Sequence, residues 1–465
     1  MIPFFEPKVL TQQEIQGIHE AMVCILSRTG CLVENEEILQ ALEGYGAKVN
    51  RQERRVRFPA PTIERFLHES EPAEPRCSPQ VSCGVGIYQG SYLSPNTGEH
   101  VPFTAKTLAD YIKLARLLRH VDGVGMLNCP VSAASPTEPM EARLFAWKHG
   151  AGAGTGIQRL DLCPYLLEMC EIKAQADGKR LQDVFSGAVY MLSPLRIPEQ
   201  EAGQMMYFKE RGLRVSLSNQ ITIGGTGPVT IAGSLALNLA ERIVIGTIHR
   251  VLYGARRWSV GGGSAPLDMR TMIQPYGRPE MLLSNLANMQ LARHYRVHGG
   301  AHCGNSDAKA PSCEASMQKV LSAMPCILAG GGNIGAGLLS IDELFSPIQM
   351  ILDNELAGAL RRVVRGFEVN ADTLATDVID QVGPGGFFTA SEHTAAHFRN
   401  ELWEPEIWSR ESLQTWLRGE RKIDADIALD IWHDHMSKPD FAPGISEDTE
   451  RRLTDVIKRA RGAIA

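Results

Sequence analysis

Apolar residues at Ile15, Ile18, Met22, Ile25 and Leu26 recur at helical spacing behind Thr11-Gln12-Gln13-Glu14, a capping-box pattern, and Gly30 supplies a stop. This predicts an amphipathic helix at the start of the chain. A shorter helix is expected over residues 36–42, ending at Gly44-Tyr45-Gly46. Val56-Arg57-Phe58, followed by Pro59 and Pro61, reads as a strand feeding a helix from Thr62. Residues 1–75 are thus an N-terminal helical segment. In 76–106, GVGIYQGSYLSPNTGEHVPF alternates small and aromatic residues around the turn Pro95-Asn96-Thr97-Gly98, which predicts a β-hairpin capping one end of the main domain.

From Thr107 onward, helical patterns alternate with short apolar runs. Strands are expected at 123–127, 152–157, 185–192, 214–217, 257–260, 297–301 and 326–328, with helices between them such as 228–248 and 278–294. Such alternation implies a parallel sheet covered by helices. The α/β architecture expected is a (β/α)8 TIM-type barrel over 107–400, its eighth strand sought beyond Gly366 in GFEVN, with a helical segment over 401–465. An open doubly wound sheet competes with it.

Composition narrows the classes. The 465 residues, 44% hydrophobic and 22% charged, exclude disorder, and a net charge of −6 without a polybasic run argues against nucleic acid as partner. The start, MIPFFEPKVLTQQE, does not read as a signal peptide. Residues 325–339, the longest apolar stretch noted, are too short and too interrupted to span a membrane, so a cytoplasmic location is expected. Ten scattered cysteines without a Cys-x-x-Cys pair read as reduced, buried thiols. A zinc thiolate site from His302 and Cys303 with Cys313 or Cys326 is weighed against this, but adjacent His-Cys chelates poorly and the later spacings match no usual zinc module. No metal of its own is therefore expected.

The 44 glycines, about 9.5% against a usual roughly 7%, gather at Gly224-Gly225, Gly261 to Gly263 and Gly330 to Gly332. Such clusters after strands suit the mouth of a barrel, where tight turns and exposed amides meet a ligand. Gly152-x-Gly154-x-Gly156 and Gly332-x-x-Gly335-x-Gly337 have the wrong order for a dinucleotide loop, and GGTGPVT at 224–230 lacks the Lys of a phosphate loop. His393 and His397 share a helical face at the spacing of a zinc pair, yet Thr394 stands where a zinc hydrolase needs Glu. Segment 299–316, GGAHCGNSDAKAPSCEAS, is the densest polar run behind any predicted strand.

Taken together, LTQQEIQGIHEAMVCILSRTG with the segment that follows it to Asn50, GGTGPVTIAGSLALNLAE, SDAKAPSCEAS, SPIQMILDNELAG and GPGGFFTASEHTAAHFRNELWEPEIWSRESLQTW resemble the trimethylamine methyltransferase family along nearly the whole chain. The resemblance implies a (β/α)8 barrel that moves a methyl group from a methylated amine to the cobalt of a corrinoid (cobalamin) carried by a separate partner protein, in a homo-oligomeric enzyme. Archaeal members carry pyrrolysine near the segment corresponding to His302 to Ser306. Standard residues stand there in this chain, which makes it similar to the non-pyrrolysine branch acting on quaternary amines, glycine betaine foremost, with proline betaine, carnitine and γ-butyrobetaine as alternatives. A non-catalytic quaternary-amine sensor is a further alternative. The expected cation cage is Tyr92, Phe345, Phe387 and Phe388 with Asp307 as counter-charge, and Gln220, His302, Asn333 and His393 are expected to anchor the carboxylate. No residue is assigned a catalytic role, because a quaternary ammonium leaves as a neutral amine without a proton donor.

Overall fold

The structure, a computed structural model, describes residues 6, 8–74, 79–262 and 264–464. Cys77 and Gly263 lie outside them. The opening helix runs Gln12–Cys24 with the Thr11/Glu14 capping box formed, and Ile15, Ile18 and Met22 are buried. Its buried face lies on the long helix Ile231–Tyr253. Each such side chain contributes about 1.5–3 kcal/mol of burial. Strands Cys31–Val33, Lys48–Asn50 and Arg55–Arg57 form a small sheet to which Arg196–Ile197 adds a parallel edge, tying the first segment to the body.

Eight short strands alternate with eight helices. The strands are β1 Ser82–Ile87, β2 Gly123–Met126, β3 Gly152–Ala153, β4 Gly187–Tyr190, β5 Val215–Ser218, β6 Ser259–Val260, β7 His298–Gly299 and β8 Asn333–Gly335. Each is followed by a helix: α1 Ala105–Leu117, α2 Glu138–His149, α3 Cys163–Asp177, α4 Glu199–Lys209, α5 Ile231–Tyr253, α6 Pro279–His294, α7 Cys313–Leu328 and α8 Pro347–Arg365. Parallel ladders join β8 to β1, β1 to β2, β2 to β3, β4 to β5 and β6 to β7, and a parallel bridge Gly156↔Ala188 links the β3 and β4 segments. Among the described residues no ladder spans β5 to β6 or β7 to β8, so backbone pairing does not close the succession into a ring. Side chains cross both seams. Asn219 beyond β5 donates to Asn238 (3.0 Å), Asn238 to Asn288 (3.0 Å), and Asn288 to the Gly262 carbonyl (3.3 Å) beyond β6. Fully buried Lys319 of α7 donates to the carbonyls of Gly304 (3.2 Å) and Gly335 (2.7 Å) and pairs with Asp353 of α8 at 3.0 Å.

Three sequence expectations need correction. Residues 82–87 are not one arm of a hairpin: Cys83, Val85 and Ile87 alternate inward, and both edges of the strand are paired in parallel. The hairpin is confined to Ser91–Leu93 with His100–Pro102. Residues 326–328 are the end of α7 rather than a strand, because Ser312 caps a helix whose Ala315, Lys319, Ser322, Ala323, Cys326 and Ile327 are buried at helical spacing. The GFEVN segment holds no strand; Gly366 (φ 67°) ends α8, and Phe367 beyond it is exposed. The strand missing from the expected set is β1, and β8 begins five residues after the end of the 326–328 run. The most apolar long helix is α5, long enough to cross a membrane, but 78% of its most apolar window is buried inside the fold and it carries Glu241 and Arg242.

Candidate active site

The C-terminal ends of the parallel strands deliver polar and aromatic residues to one end of the body. Tyr88 follows β1, Asn128 and Cys129 follow β2, Gln158 follows β3, Tyr190 closes β4, Asn219 and Gln220 follow β5, Gly262 follows β6 and His302 follows β7. Long loops separate these strand ends from the helices that follow them, and ligands in α/β folds bind where such loops converge.

Two buried carboxylates brace the loops. Glu138 accepts from the Cys129 N–H, from Gln158 Nε2 at 2.7 Å and from Asn128 Nδ2 at 3.4 Å, while Glu241 accepts from Asn219 Nδ2 at 2.6 Å, Ser193 Oγ at 2.9 Å and the Leu195 N–H at 2.9 Å. Burial raises the pKa of both, against those hydrogen bonds. Their oxygens are spent on protein donors, so they hold shape rather than wait for a ligand.

Two other charged groups are different. Arg242, one residue on from Glu241 in α5, makes no ion pair or hydrogen bond among the described residues; its Nε is buried without a partner, and burial lowers its pKa to about 10. Its guanidinium lies against Gly262 (φ 89°), where an added Cβ would come within 2.7 Å of Nη2, so that glycine makes room for the cation. Asp342, in the turn after strand 338–339, has Oδ1 buried without a partner, and burial raises its pKa to about 6. Ser340, Ile341 and Asp342 all take left-handed φ (51°, 61° and 63°), a strained run that the Ser340 N–H to Ala308 O and Ile341 N–H to Ser306 O bonds and Lys309 Nζ on Ser340 Oγ hold in place. An ionised carboxylate with this shift costs roughly 3 kcal/mol in the empty protein.

Three tyrosines lie near those charges. Tyr190, 60% exposed at the rim, lies near enough to influence Arg242, Tyr88 and Tyr276, and the Asp342 charge in turn reaches Tyr88 and Tyr276. Burial raises the phenol pKa of Tyr88 and Tyr276, keeping both neutral. Gln220 Nε2 donates to Tyr276 Oη at 3.1 Å, and the His302 ring meets the Tyr276 ring edge-on at 4.8 Å. Desolvation lowers the His302 pKa, so its imidazole is neutral; Nε2 is 2.6 Å from Asn305 Nδ2 and 3.8 Å from Asp342 Oδ2. Tyr190 thus lies near Arg242, and Tyr88 and Tyr276 lie near both Tyr190 and Asp342, so a cluster of aromatic rings has a cationic and an anionic group beside it.

Of the residues singled out from sequence, Gln220 and His302 meet around Tyr276. Asp307 is beside them in another role: its two oxygens accept the N–H groups of Tyr276 (2.7 Å) and Gly277 (2.9 Å), so it positions the ring, and the unpaired carboxylate is Asp342. Tyr92 and Phe345 are buried in an aromatic core with Phe103 and Tyr111. Asn333 opens β8 opposite Ser82, at the N-terminal end of the strands. Phe387 and Phe388 are solvent-exposed on a short helical turn, and His393 faces Asp372 and His397 on the segment beyond α8. Cys303 packs beside Cys326 with Sγ on the Asn333 carbonyl, whereas Cys313 stands apart, exposed against Met317. Sequence reading missed Tyr88, Tyr190, Arg242, Tyr276 and Asp342. Tyr88 and Tyr190 carried a signal, an aromatic residue directly behind an apolar run. A cleft of about 500 Å³ lined by Arg293, Arg296 and His298 opens at the other end of the strands and contains none of these groups.

Comparison with known proteins gives a whole-chain match. The model of the family described as Trimethylamine methyltransferase (MTTB) matches residues 2–465. Glycine betaine methyltransferase of Desulfitobacterium hafniense (strain Y51) is 28% identical over 434 residues, 88% of this chain and 88% of that protein. Trimethylamine methyltransferase MttB of Desulfitobacterium hafniense (strain DSM 10664 / DCB-2) is 26% identical over 430 residues, covering 88% and 85%. Trimethylamine methyltransferase MttB of Methanosarcina barkeri is 24% identical over 492 residues, covering 98% and 95%. Among solved structures, Methanosarcina barkeri monomethylamine methyltransferase (MtmB) superposes with a TM-score of 0.45 at 11% identity, over 97% of this chain and 92% of that one.

Proposed function

The chain belongs to the trimethylamine methyltransferase family, and from that premise we propose that it demethylates a carboxylated quaternary amine, glycine betaine first, passing the methyl group to the Co(I) of a corrinoid on a partner protein. What supports this reading is a pair of oppositely charged groups, Arg242 and Asp342, each with a buried polar atom that has no hydrogen-bond partner and each near the tyrosines. A betaine has the complementary charges on one small molecule. Its carboxylate suits the guanidinium fork, and its ammonium suits the faces of Tyr88, Tyr190 and Tyr276 beside Asp342; a desolvated cation–π contact contributes up to about 2 kcal/mol. Trimethylamine has no carboxylate to offer Arg242.

The corrinoid acts here as methyl acceptor, a substrate that supplies a Co(I) nucleophile. The C–N bond breaks with its electron pair left on nitrogen, so betaine yields dimethylglycine and the methyl group leaves on cobalt. No proton is needed, which agrees with a pocket whose His302 is neutral and whose tyrosines are protonated. The work left to this chain is to bind, orient and desolvate the ammonium. Tyr190 at the rim leaves one N-methyl open to the acceptor. The same reading takes the eight strands as a (β/α)8 barrel with side-chain bridges at its two unpaired seams, acting in the cytoplasm as a homo-oligomer.

The test is incubation of the purified protein with chemically reduced cobalamin and glycine betaine, proline betaine, carnitine, choline or trimethylamine. Methylated corrinoid and dimethylglycine from betaine support the proposal. Transfer from choline or trimethylamine but from no carboxylated amine overturns it.

A further inference from the structure

The geometry points to a divalent-cation site of the Zn²⁺ class formed by Asp372, His393 and His397, outside the pocket and on the segment beyond α8. His393 and His397 stand four residues apart on helix Glu392–Glu401, with ring centroids 4.3 Å apart. Asp372 comes from the separate short helix Ala371–Leu374. Its Oδ2 is 3.3 Å from His397 Nε2, and its backbone carbonyl is 3.3 Å from His393 Nε2. One ligand atom from each of the three side chains lies within 4.8 Å of the others. Tetrahedral zinc with bonds of about 2.0–2.1 Å places its ligand atoms roughly 3.4 Å apart. The Asp372–His397 edge already has that length, and the ligand atom of His393 lies within 4.8 Å of both. The fourth position is left to water or to the Asp372 carbonyl.

The chemistry of the donors selects the ion. Two imidazoles and one carboxylate favour Zn²⁺ and its late transition-metal neighbours over Mg²⁺ and Ca²⁺, which prefer all-oxygen shells.

The packing around the cluster gives the ion a role. Neither Ala371–Leu374 nor Glu392–Glu401 has a buried residue, so apolar burial does not fasten one to the other. The helix end is held to α8 by Arg362 and Arg365, which donate to the carbonyls of Glu401 and Asn400. Its start has the Asp372–His contacts. A cation there would cross-link the two ends of a loop that carries Phe387 and Phe388, ordering it without a hydrophobic core.

The test uses full-length protein stripped with a chelator, then equilibrium dialysis against ZnCl2 with metal counted by mass spectrometry. The comparison is wild type with the double variant His393→Gln/His397→Gln. About one retained Zn²⁺ per chain in wild type, with affinity lower by about 100-fold or more in the variant, is expected. Limited proteolysis gives a second readout: Zn²⁺ should slow cleavage within residues 366–402 in wild type alone. Equal Zn²⁺ uptake by both proteins, or none by wild type at micromolar metal, overturns the site and leaves the imidazoles as partners of the Asp372 charge only.

Discussion

In the body, Arg242 and Asp342 hold buried polar atoms without partners, while in the segment from Gly366 to Ile423 large apolar residues stand in solvent, Phe367 at 72% and Phe387 at 84% exposure. Each region departs from ordinary burial, in opposite senses. Unpartnered charges in a small pocket are satisfied by a small ion or zwitterion; exposed rings spread along a segment with no buried residue in its helices from 371 to 418 present a surface. The difference separates residues that share a chemical type. Phe345 and Phe387 look equally suited to a cation cage in the sequence, yet one is walled in by Phe103 and Tyr111 and the other touches water.

Substituting the two rings should separate the regions most clearly. Phe345→Ala removes a fully buried ring and should cost about 3–5 kcal/mol in chemical denaturation. Phe387→Ser should change stability by no more than about 0.5 kcal/mol. Equal losses for the two would show that the Gly366 to Ile423 segment is packed as firmly as the body.

Arg242→Gln should lower kcat/KM for glycine betaine by about 100-fold, chiefly through KM, because a desolvated charge partner is worth roughly 2–5 kcal/mol. The same variant should change the melting temperature little, since relief of the guanidinium's desolvation offsets the lost attraction to Glu241. A loss of stability with KM unchanged would make Arg242 a structural residue like Glu241.

Asp342 adds a pH dependence whose sign is fixed by its raised pKa. Its folded value is about 6 against an ordinary 3.8, so the ionised form is disfavoured by folding. The empty protein carries that cost above pH 6, sheds it as pH falls from 6 towards 4, and should gain stability over that window. Binding of an ammonium favours the ionised form, so KM for betaine should rise as pH falls below 6 and level off about tenfold higher once the carboxyl is protonated. Asp342→Asn should bind betaine about tenfold more weakly, melt at a higher temperature, and lose the pH dependence of KM in this range. A KM that stays flat in wild type down to pH 5 would remove Asp342 from the cation site.

Much of the fold was legible because strands β2 to β7 are apolar runs stopped by glycine or polar residues, and the period of the helices between them is strong. What misled was local. Strand β1 runs straight into the true hairpin at 91–102, so two structures share one alternating pattern. The Cys326–Leu328 run is apolar because it ends a helix, while β8, only Asn333–Gly335, is too short to announce itself. In the site, Gln220 and His302 could be found because they directly follow strands. Arg242 sits in the middle of an apolar helix, and Asp342 in a turn whose left-handed backbone no spacing rule reveals. Asp307 was conspicuous by its neighbours in sequence, but a carboxylate's role depends on whether its oxygens are already taken, and that is decided by Tyr276 and Gly277 from thirty residues away.

The smallest effect belongs to Tyr276, where the ring and its hydroxyl can be separated. Tyr276→Phe keeps the aromatic face beside His302 and loses only the bond from Gln220, a neutral hydrogen bond of about 1 kcal/mol, so KM for betaine should rise about fivefold with kcat unchanged. Tyr276→Leu removes the π face as well and should weaken binding further, by another roughly 1 kcal/mol. The hydroxyl lies at the Gln220 side of the ring and the cation-binding face is the ring itself, so the two losses should add for betaine. For an uncharged isostere of betaine, with a tert-butyl group in place of the trimethylammonium, binding should be insensitive to the second change. Equal sensitivity of the two ligands to Tyr276→Leu would mean that the ring supplies apolar contact alone, and the ammonium would then have to rest on Asp342 and the other tyrosines.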